Sequence, residues 1–251
     1  MRPADLLEIA RTAALAAAPL LLERFGTEKA LATKSSLTDV VSQADLLAEE
    51  AIRAVLRSEV PDDTIVGEEG DDVVGTTGRR WLIDPIDGTV NYLYGNPQWC
   101  ISVACAGLAG VVYDPVRDEL FAASVDGEAT LNGGELAAAD PESLGQTLVG
   151  TGFGYEASVR EQQVAITARL LPQVRDIRRG GSAALDLAWV AAGRIDAYFE
   201  YGIKEWDVAA GSLICERAGL KSATLQSNGA LASGLLVAPA RIFADLREIV
   251  A

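Results

Sequence analysis

The stretch Trp81-Leu-Ile-Asp-Pro-Ile-Asp-Gly-Thr89 organises the rest of this chain. Its first three residues predict a buried strand, and the segment from Asp84 to Thr89 then breaks that strand with two carboxylates, a proline and a glycine. Strand ends and the loops that follow them are where folded scaffolds most often present chemistry. We therefore expect a functional site at this point of the chain.

The two carboxylates of this stretch, Asp84 and Asp87, need a physical explanation. Pro85 fixes its own φ and disfavours helix at the residue before it, so we expect a turn that can bring the carboxylates together. Two ionised carboxylates in contact repel, and a shared proton or a bound cation relieves the repulsion. Oxygen ligands select Mg²⁺, Mn²⁺ or Ca²⁺. The consecutive N–H groups of Gly88 and Thr89 suit a phosphate.

Two other interpretations of the stretch stay open at this point. Asp and Gly are ordinary turn residues, so both aspartates could simply cap a turn. The haloacid-dehalogenase phosphatases carry an Asp-x-Asp-Gly-Thr signature in which the first aspartate attacks phosphorus. Here the aspartates are three positions apart rather than two, which makes a nucleophilic aspartate the runner-up.

Length and composition indicate one globular body. The chain has 251 residues, 49% of them hydrophobic, which suffices for a substantial core. No linker divides it, so we expect a single body over residues 1–251 with halves of about 1–140 and 141–251. The longest apolar run, Ala13 to Leu22, is too short to span a bilayer, and we expect a cytoplasmic protein. Three cysteines without Cys-x-x-Cys spacing argue against a disulfide framework.

The net charge of −15 and the absence of histidine limit the function classes. The chain has no basic stripe that could release counterions, so we expect neither nucleic acid nor an anionic membrane as a partner. Without histidine it can neither carry out Ser-His-Asp hydrolysis nor build a histidine-ligated zinc site. No arginine stands six positions after a cysteine, which excludes the cysteine phosphatases. If the chain is a hydrolase, the remaining type of active site is a metal ion bound by carboxylates.

Local patterns predict two helices and then an antiparallel sheet in the N-terminal half. A long amphipathic helix begins at Pro3, and a second begins at its N-cap Ser42, with Asp45 in the first turn. The polar segment Lys34 to Asp39 between them is typical of a loop. From Trp99 to Val125 short strands alternate with turn residues, which predicts a meander.

Two further acidic or glycine-rich segments stand beside predicted elements. Gly67-Glu68-Glu69-Gly70 follows a short strand and lies close enough to Asp84 in sequence to meet it if the two strands are neighbours, although paired glutamates commonly mark only a solvated loop. After Pro141 strands and helices alternate, which indicates a mixed α/β half. There Gly180-Gly-Ser-Ala183 and Lys204-Glu-Trp-Asp207 each begin a helix; they could bind a ligand, or simply allow close packing and cap the helix.

Taken together, Glu68-Glu69, Asp84-Pro-Ile-Asp-Gly-Thr89 and Trp206-Asp207, in this order and spacing, resemble the inositol monophosphatase family of lithium-sensitive, magnesium-dependent phosphatases. The resemblance covers the whole chain, including Asp45. It implies a layered αβαβα fold of the α+β or α/β class, with an antiparallel sheet in the N-terminal half and a smaller mixed half at the C-terminus. It also implies a homodimer and hydrolysis of a phosphate monoester.

The resemblance further implies the ligands of the metal. One Mg²⁺ would be bound by Glu68, Asp84 and the backbone carbonyl of Ile86, and a second by Asp84, Asp87 and Asp207. Two or three ions would take part, and Mn²⁺ could replace Mg²⁺. Phosphate would bridge the metals.

The resemblance assigns the reaction to a metal-activated water, without a covalent intermediate. Glu69 and Thr89 would orient this water, with Asp45 supporting Thr89, and phosphate would lie on the N–H groups of Gly88 and Thr89. The substrate-binding residues implied in this way are Asp87, Gly88, Thr89, Gly181, Ser182, Ala183, Glu200 and Asp207.

The substrate is less closely defined than the reaction. Inositol 1-phosphate is the first expectation, but Lys204-Glu205 departs from the residues that relatives often carry before Trp-Asp. Histidinol phosphate, fructose 1,6-bisphosphate and adenosine 3′,5′-bisphosphate therefore stay open as substrates. A binding module that keeps the fold without catalysis is the alternative of another class.

Overall fold

A computed structural model describes residues 1–27, 30–33 and 40–251 of the chain. The helices of these residues are α1 (Pro3–Arg24), α2 (Gln43–Glu59), α3 (Thr89–Leu93), α4 (Ala157–Leu170), α5 (Ala183–Ala191), α6 (Glu205–Arg217) and α7 (Phe243–Val250). The strands are β1 (Ala30–Thr33), β2 (Val40–Ser42), β3 (Thr64–Gly67), β4 (Arg80–Asp87), β5 (Cys100–Cys105), β6 (Ala109–Asp114), β7 (Glu119–Ser124), β8 (Thr130–Leu131), β9 (Gly134–Glu135), β10 (Leu148–Thr151), β11 (Asp176–Arg178), β12 (Ala197–Tyr201), β13 (Lys221–Leu225) and β14 (Gly234–Ala238). The predicted loop from Lys34 to Asp39 lies outside the described residues.

The first sheet has the strand order β3-β4-β5-β6-β7-β8-β9. Strand β3 pairs with β4 in parallel, and every later pair in this sheet is antiparallel. The predicted meander is therefore confirmed. Its last hairpin turns at Asn132 and Gly133, both with positive φ, which is the conformation that a two-residue hairpin of the right twist requires.

Strand β4 corrects one prediction about the central stretch. The expectation that the strand breaks at Asp84 is wrong, because β4 continues to Asp87 and a bulge in its pairing with β5 lies between these two residues. The bulge takes Pro85, which has no N–H to donate, out of the regular ladder. Asp84 and Asp87 are consequently buried, with 2% and 8% of their surface exposed.

The second sheet is the mixed one expected after Pro141, with the strand order β11-β10-β12-β14-β13. Strand β10 is parallel to both of its neighbours, and β14 is antiparallel to β12 and β13. The alternation after Pro141 predicts strands at Thr147 to Gly150 and Asp196 to Glu200, and helices near Glu161 to Leu171, at Ser182 to Ala192 and from about Asp207 to Ala218. These predictions correspond to β10, β12, α4, α5 and α6. The sequence does not predict β11, β13, β14 or α7, which complete the sheet and cover it.

Three hydrophobic clusters define five layers. Helices α1 and α2 pack on one face of the first sheet, through residues such as Ile101 and Val103. The neighbouring residues Cys100 and Ala104 point to the opposite face, where α5 and α6 fill the space up to the second sheet. Helices α4 and α7 cover the far side of the second sheet. This is the αβαβα arrangement, as expected.

Other expectations concern the chain as a whole. All three cysteines are buried and free, in agreement with the absence of a disulfide framework. Within the described residues, none of the helices combines the length and apolar character needed to cross a bilayer. The homodimer, the cytoplasmic location and the division into halves stay predictions.

Candidate active site

Parallel pairing of β3 with β4 brings the two acidic motifs together. Gly67 pairs with Ile83, and the N–H of Glu68 donates to the Ile83 carbonyl at 3.1 Å, so Glu68 stands directly beside Asp84. Burial raises the pKa of Asp84 well above its usual value, and the charge of Glu68 and a hydrogen bond between the two carboxyl groups raise it further. The second acidic motif therefore belongs to the same site as the first.

Asp87 connects the central stretch to the second half of the chain. Its Oδ2 accepts hydrogen bonds from the Ser182 hydroxyl at 2.7 Å and from the Ala184 N–H at 2.5 Å, at the beginning of α5. Burial raises the pKa of Asp87 to about 6, although these two hydrogen bonds lower it. The carboxylate thus carries a charge that two donors only partly compensate.

Asp207 is the carboxylate that α6 contributes. It lies in the first turn of that helix, and its Oδ2 accepts the N–H of the N-cap residue Lys204 at 2.7 Å. Burial raises the pKa of Asp207 well above its usual value, and the charge of Asp87 raises it further. Asp207 therefore has both of the roles expected from the sequence, because it caps α6 and also lies near the other carboxylates of the site.

Glu205 and Lys204 take different positions at the same helix start. Both oxygens of Glu205 bind the guanidinium of Arg80, at 2.7 and 3.1 Å, which ties α6 to the beginning of β4. The side chain of Lys204 is exposed. Of the two residues that depart from the pattern of the relatives, Glu205 has a structural role, whereas the ammonium group of Lys204 is exposed to solvent.

The carboxylates fit a divalent cation in their chemistry. Glu68, Asp84, Asp87 and Asp207 supply the hard oxygen donors that Mg²⁺ prefers, and none of the ion pairs among the described residues involves the three aspartates. Among the same residues, no three side chains already stand in a ligating arrangement. Besides burial, mutual repulsion raises the pKa values of Asp84 and Asp207, and a divalent cation bound here would compensate this repulsion.

The turn after the carboxylates depends on a glycine. Gly88 has a φ of 99°, and a Cβ there would lie 3.0 Å from the Gln98 carbonyl and 3.2 Å from the Gly181 carbonyl. Any side chain would push this turn away from the segment at Gly181. The absence of a side chain brings the first N–H groups of α3 beside the carboxylates.

Thr89 begins α3 and is held from two directions. Its hydroxyl lies 3.2 Å from Asp45 Oδ1 and 3.1 Å from the carbonyl of Ile86. Asp45 is fully buried, and its other oxygen accepts the N–H and the hydroxyl of Ser42 at 2.8 and 2.6 Å. The predicted N-cap at Ser42 is confirmed, and the same capping interaction fixes the carboxylate that faces Thr89.

The residues expected to select the substrate surround Asp87 from the second sheet. Gly181, with a φ of 95°, lies next to Gly88, whereas Ser182 and Ala183 are buried. The Ser182 hydroxyl donates a hydrogen bond to Asp87, so a contact between Ser182 and the substrate stays a prediction. Glu200 lies half-buried on β12, and burial raises its pKa to about 7, with the charge of Asp87 contributing.

Two polar residues of this region are not among those expected from the sequence. Tyr198, two residues before Glu200 on the same strand face, donates its hydroxyl to the Glu200 carboxylate. Asp186 on α5 is 3% exposed, and burial together with the charges of Asp87 and Glu200 raises its pKa to about 8. The sequence signal was present, because Asp186 is the one charged residue of an otherwise apolar helix.

Comparison with known proteins gives a consistent result. The family model described as the inositol monophosphatase family matches residues 2–250. The Nus factor SuhB of Xylella fastidiosa is 46% identical over 74% of this chain and 69% of its own. The inositol-1-monophosphatase SuhB of Mycobacterium tuberculosis is 40% identical over 95% of this chain and 90% of its own. The solved inositol monophosphatase of Anabaena superposes with a TM-score of 0.84 at 33% identity and covers 98% of this chain and 94% of its own.

The family match spans nearly the entire chain, and the αβαβα layers and the converging carboxylates agree with it. The chain belongs to the inositol monophosphatase family and is a phosphoric monoester hydrolase.

Proposed function

We propose that the chain hydrolyses the phosphate monoester of a small polyol in a Mg²⁺-dependent reaction, with inositol 1-phosphate as the first candidate. The observation that carries the proposal is the convergence of four carboxylates beside the start of α3: Glu68, Asp84, Asp87 and Asp207. The relatives named inositol-1-monophosphatase support the choice of substrate.

The metal ligands are assigned by donor chemistry. Glu68, Asp84 and the Ile86 carbonyl would bind one Mg²⁺, and Asp84, Asp87 and Asp207 a second. At these ligands the cations would neutralise charge on the phosphate and lower the pKa of the attacking water. The shared position of Asp84 in both sets agrees with its burial and with the raised pKa of its carboxyl group.

Thr89 and Glu69 orient and deprotonate the attacking water. The Thr89 hydroxyl donates its proton towards Asp45, so that the Thr89 oxygen presents lone pairs that accept a hydrogen bond from water. The Glu69 carboxylate accepts the second proton of the water as a general base, a role that contributes about 10²- to 10⁴-fold in rate. Asp45 acts only through Thr89.

Different groups bind the phosphate and the polyol. The N–H groups of Gly88 and Thr89 donate to the phosphate at the start of α3. The Glu200 carboxylate, held by the Tyr198 hydroxyl, accepts hydrogen bonds from polyol hydroxyl groups. A substrate without neighbouring hydroxyls loses this second set of interactions.

The test is phosphate release from inositol 1-phosphate, histidinol phosphate, fructose 1,6-bisphosphate and adenosine 3′,5′-bisphosphate, each with Mg²⁺ and with a chelator. We expect release that needs Mg²⁺ and is concentrated on inositol 1-phosphate. Glu69→Gln should lower kcat by about 10²-fold or more with little change in KM. Absence of release from all four substrates, with Mg²⁺ binding shown by calorimetry, would contradict the proposal.

A second candidate function rests on the relatives that are named Nus factor SuhB. In that case the chain would act as such a factor, with or without turnover. Complementation of a host from which its own copy has been deleted separates the two candidates. A folded Asp84→Asn variant without activity should correct the defect of the deletion only if the function does not need hydrolysis.

A further inference from the structure

Helix α2 carries two buried stripes side by side. The apolar stripe packs in the core with α1 and the first sheet and consists of Ala44, Ala48, Ile52 and Leu56. One position after the first three of these residues stand Asp45, Glu49 and Arg53, which are 0%, 2% and 4% exposed. Burying charged groups is costly unless partners compensate them. The polar stripe must therefore have partners of its own.

Glu49 binds the backbone of the segment that carries the acidic pair. Its Oε2 accepts the N–H of Glu69 at 2.9 Å, and its Oε1 accepts the N–H of Gly70 at 2.8 Å. Arg53 completes the arrangement, because its Nε donates to Glu49 Oε1 at 2.7 Å and its Nη2 donates to the Gly70 carbonyl at 3.2 Å. We call Glu49 and Arg53 the clamp.

Two glycines give the clamp the room that it needs. A Cβ at Gly67 would lie 2.4 Å from Glu49 Oε1 and 2.6 Å from Arg53 Nη2. A Cβ at Gly70 would lie 2.7 Å from the same Glu49 oxygen. The sequence Gly-Glu-Glu-Gly thus allows the backbone to approach α2 closely, which a solvated loop would not require.

The same helix also fixes Thr89. Asp45, one turn before Glu49 on the polar stripe, accepts the hydrogen bond of the Thr89 hydroxyl. The two carboxylates are four residues apart, about 6 Å along the helix axis. One rigid helix therefore holds Thr89 with its first turn and the backbone of Glu69 with its second.

We propose that Glu49 and Arg53 are positioning residues, which set the place of Glu69 relative to Thr89 for the reaction. The inference rests on the proposed function, in which Glu69 and Thr89 orient the attacking water. The clamp acts through its hydrogen bonds to the backbone of residues 69 and 70. Displacement of a reacting group by about 1 Å can cost about 10²-fold in rate.

The first test compares two neighbouring glutamates of α2. Glu49→Gln replaces one acceptor oxygen by an amide donor, so one of the two N–H groups loses its partner, and we expect kcat to fall about 10- to 100-fold with KM changed less than about twofold. The matched control is Glu50→Gln, which alters an exposed glutamate paired with Arg57 and should leave kcat unchanged.

The second test separates positioning from stability. Breaking a buried ion pair by a single substitution is destabilising, whereas replacing both partners by apolar residues of similar volume often is not. We therefore expect the double variant Glu49→Met with Arg53→Met to recover the Tm that Glu49→Gln loses, while its kcat stays low. If kcat recovered together with Tm, the clamp would serve stability alone and the inference would be wrong.

The third test needs neither metal nor turnover. In the metal-free protein, the amides of Glu69 and Gly70 should exchange with solvent at least tenfold faster in the double variant, with the amides of Ile52 and Leu56 unchanged. Unchanged exchange at residues 69 and 70 would overturn the clamp. Full activity of Glu69→Gln would contradict the assigned role of Glu69 in the proposed function, and the exchange rates would still decide whether the clamp orders this segment.

Discussion

Replacing Asp87 by asparagine is expected to stabilise the metal-free protein. Burial raises the pKa of Asp87 from 3.8 to about 6, although Ser182 and Ala184 donate to it. A raised folded-state pKa contributes stability that is fully present below about pH 4 and is lost as pH rises through about 6. Each pKa unit corresponds to about 1.4 kcal/mol, so ionising Asp87 in the folded protein costs on the order of 3 kcal/mol.

An asparagine side chain at this position keeps an oxygen that can accept both hydrogen bonds and removes the charge. At pH 7 with chelator, we expect the Asp87→Asn variant to melt roughly 6–12 °C above the wild type, since 1 kcal/mol shifts Tm by about 2–4 °C in a chain of this size. At pH 4 the two proteins should melt together. With Mg²⁺ at pH 7 the wild type should gain stability by ligand binding while the variant gains less and is inactive.

The measurement is thermal unfolding of both proteins at pH 4 and pH 7, with chelator and with Mg²⁺. A variant that is less stable than the wild type at pH 7 with chelator would refute the reasoning. Asp63→Asn is the matched control of opposite sign, because Asp63 is also buried but lies against Arg79.

Three further predictions concern other parts of the molecule. Asp63 accepts hydrogen bonds from Arg79, Thr77 and Trp81, and these outweigh the effect of burial and lower its pKa. Asp63→Asn should therefore lower the free energy of unfolding at pH 7, measured in urea, by about 3–5 kcal/mol. The difference between variant and wild type should shrink as the pH falls below about 4. Tyr198→Phe removes the hydrogen bond to Glu200 and should raise KM for inositol 1-phosphate about 5- to 10-fold, with little change for p-nitrophenyl phosphate, which has no polyol hydroxyls; an equal change for both would contradict the role of Glu200. Millimolar Li⁺ should inhibit hydrolysis at fixed Mg²⁺, as the family resemblance implies, and an enzyme indifferent to Li⁺ would count against it.

The acidic and glycine-rich motifs, the capped helix α2 and the meander could be predicted because each depends on neighbouring residues. Ser42 and Asp45 form a capping box within one turn, and Asn132-Gly133 suits a tight hairpin whatever lies around it. The chemistry of paired carboxylates also follows from their spacing. For these features the chain itself supplies both the pattern and the physical cause.

Only the tertiary structure decided which distant residues meet. Asp87 accepts from Ser182 across 95 positions, and the bulge that carries β4 past Pro85 exists because β5 pairs on both sides of it. Glu49 and Arg53 look like ordinary charges of a helix surface until the segment at Gly67 to Gly70 packs against them. Burial of apolar faces in the common core determines the order of the strands and the positions of the helices, and this in turn decides which distant residues meet. No short stretch of the sequence carries that information.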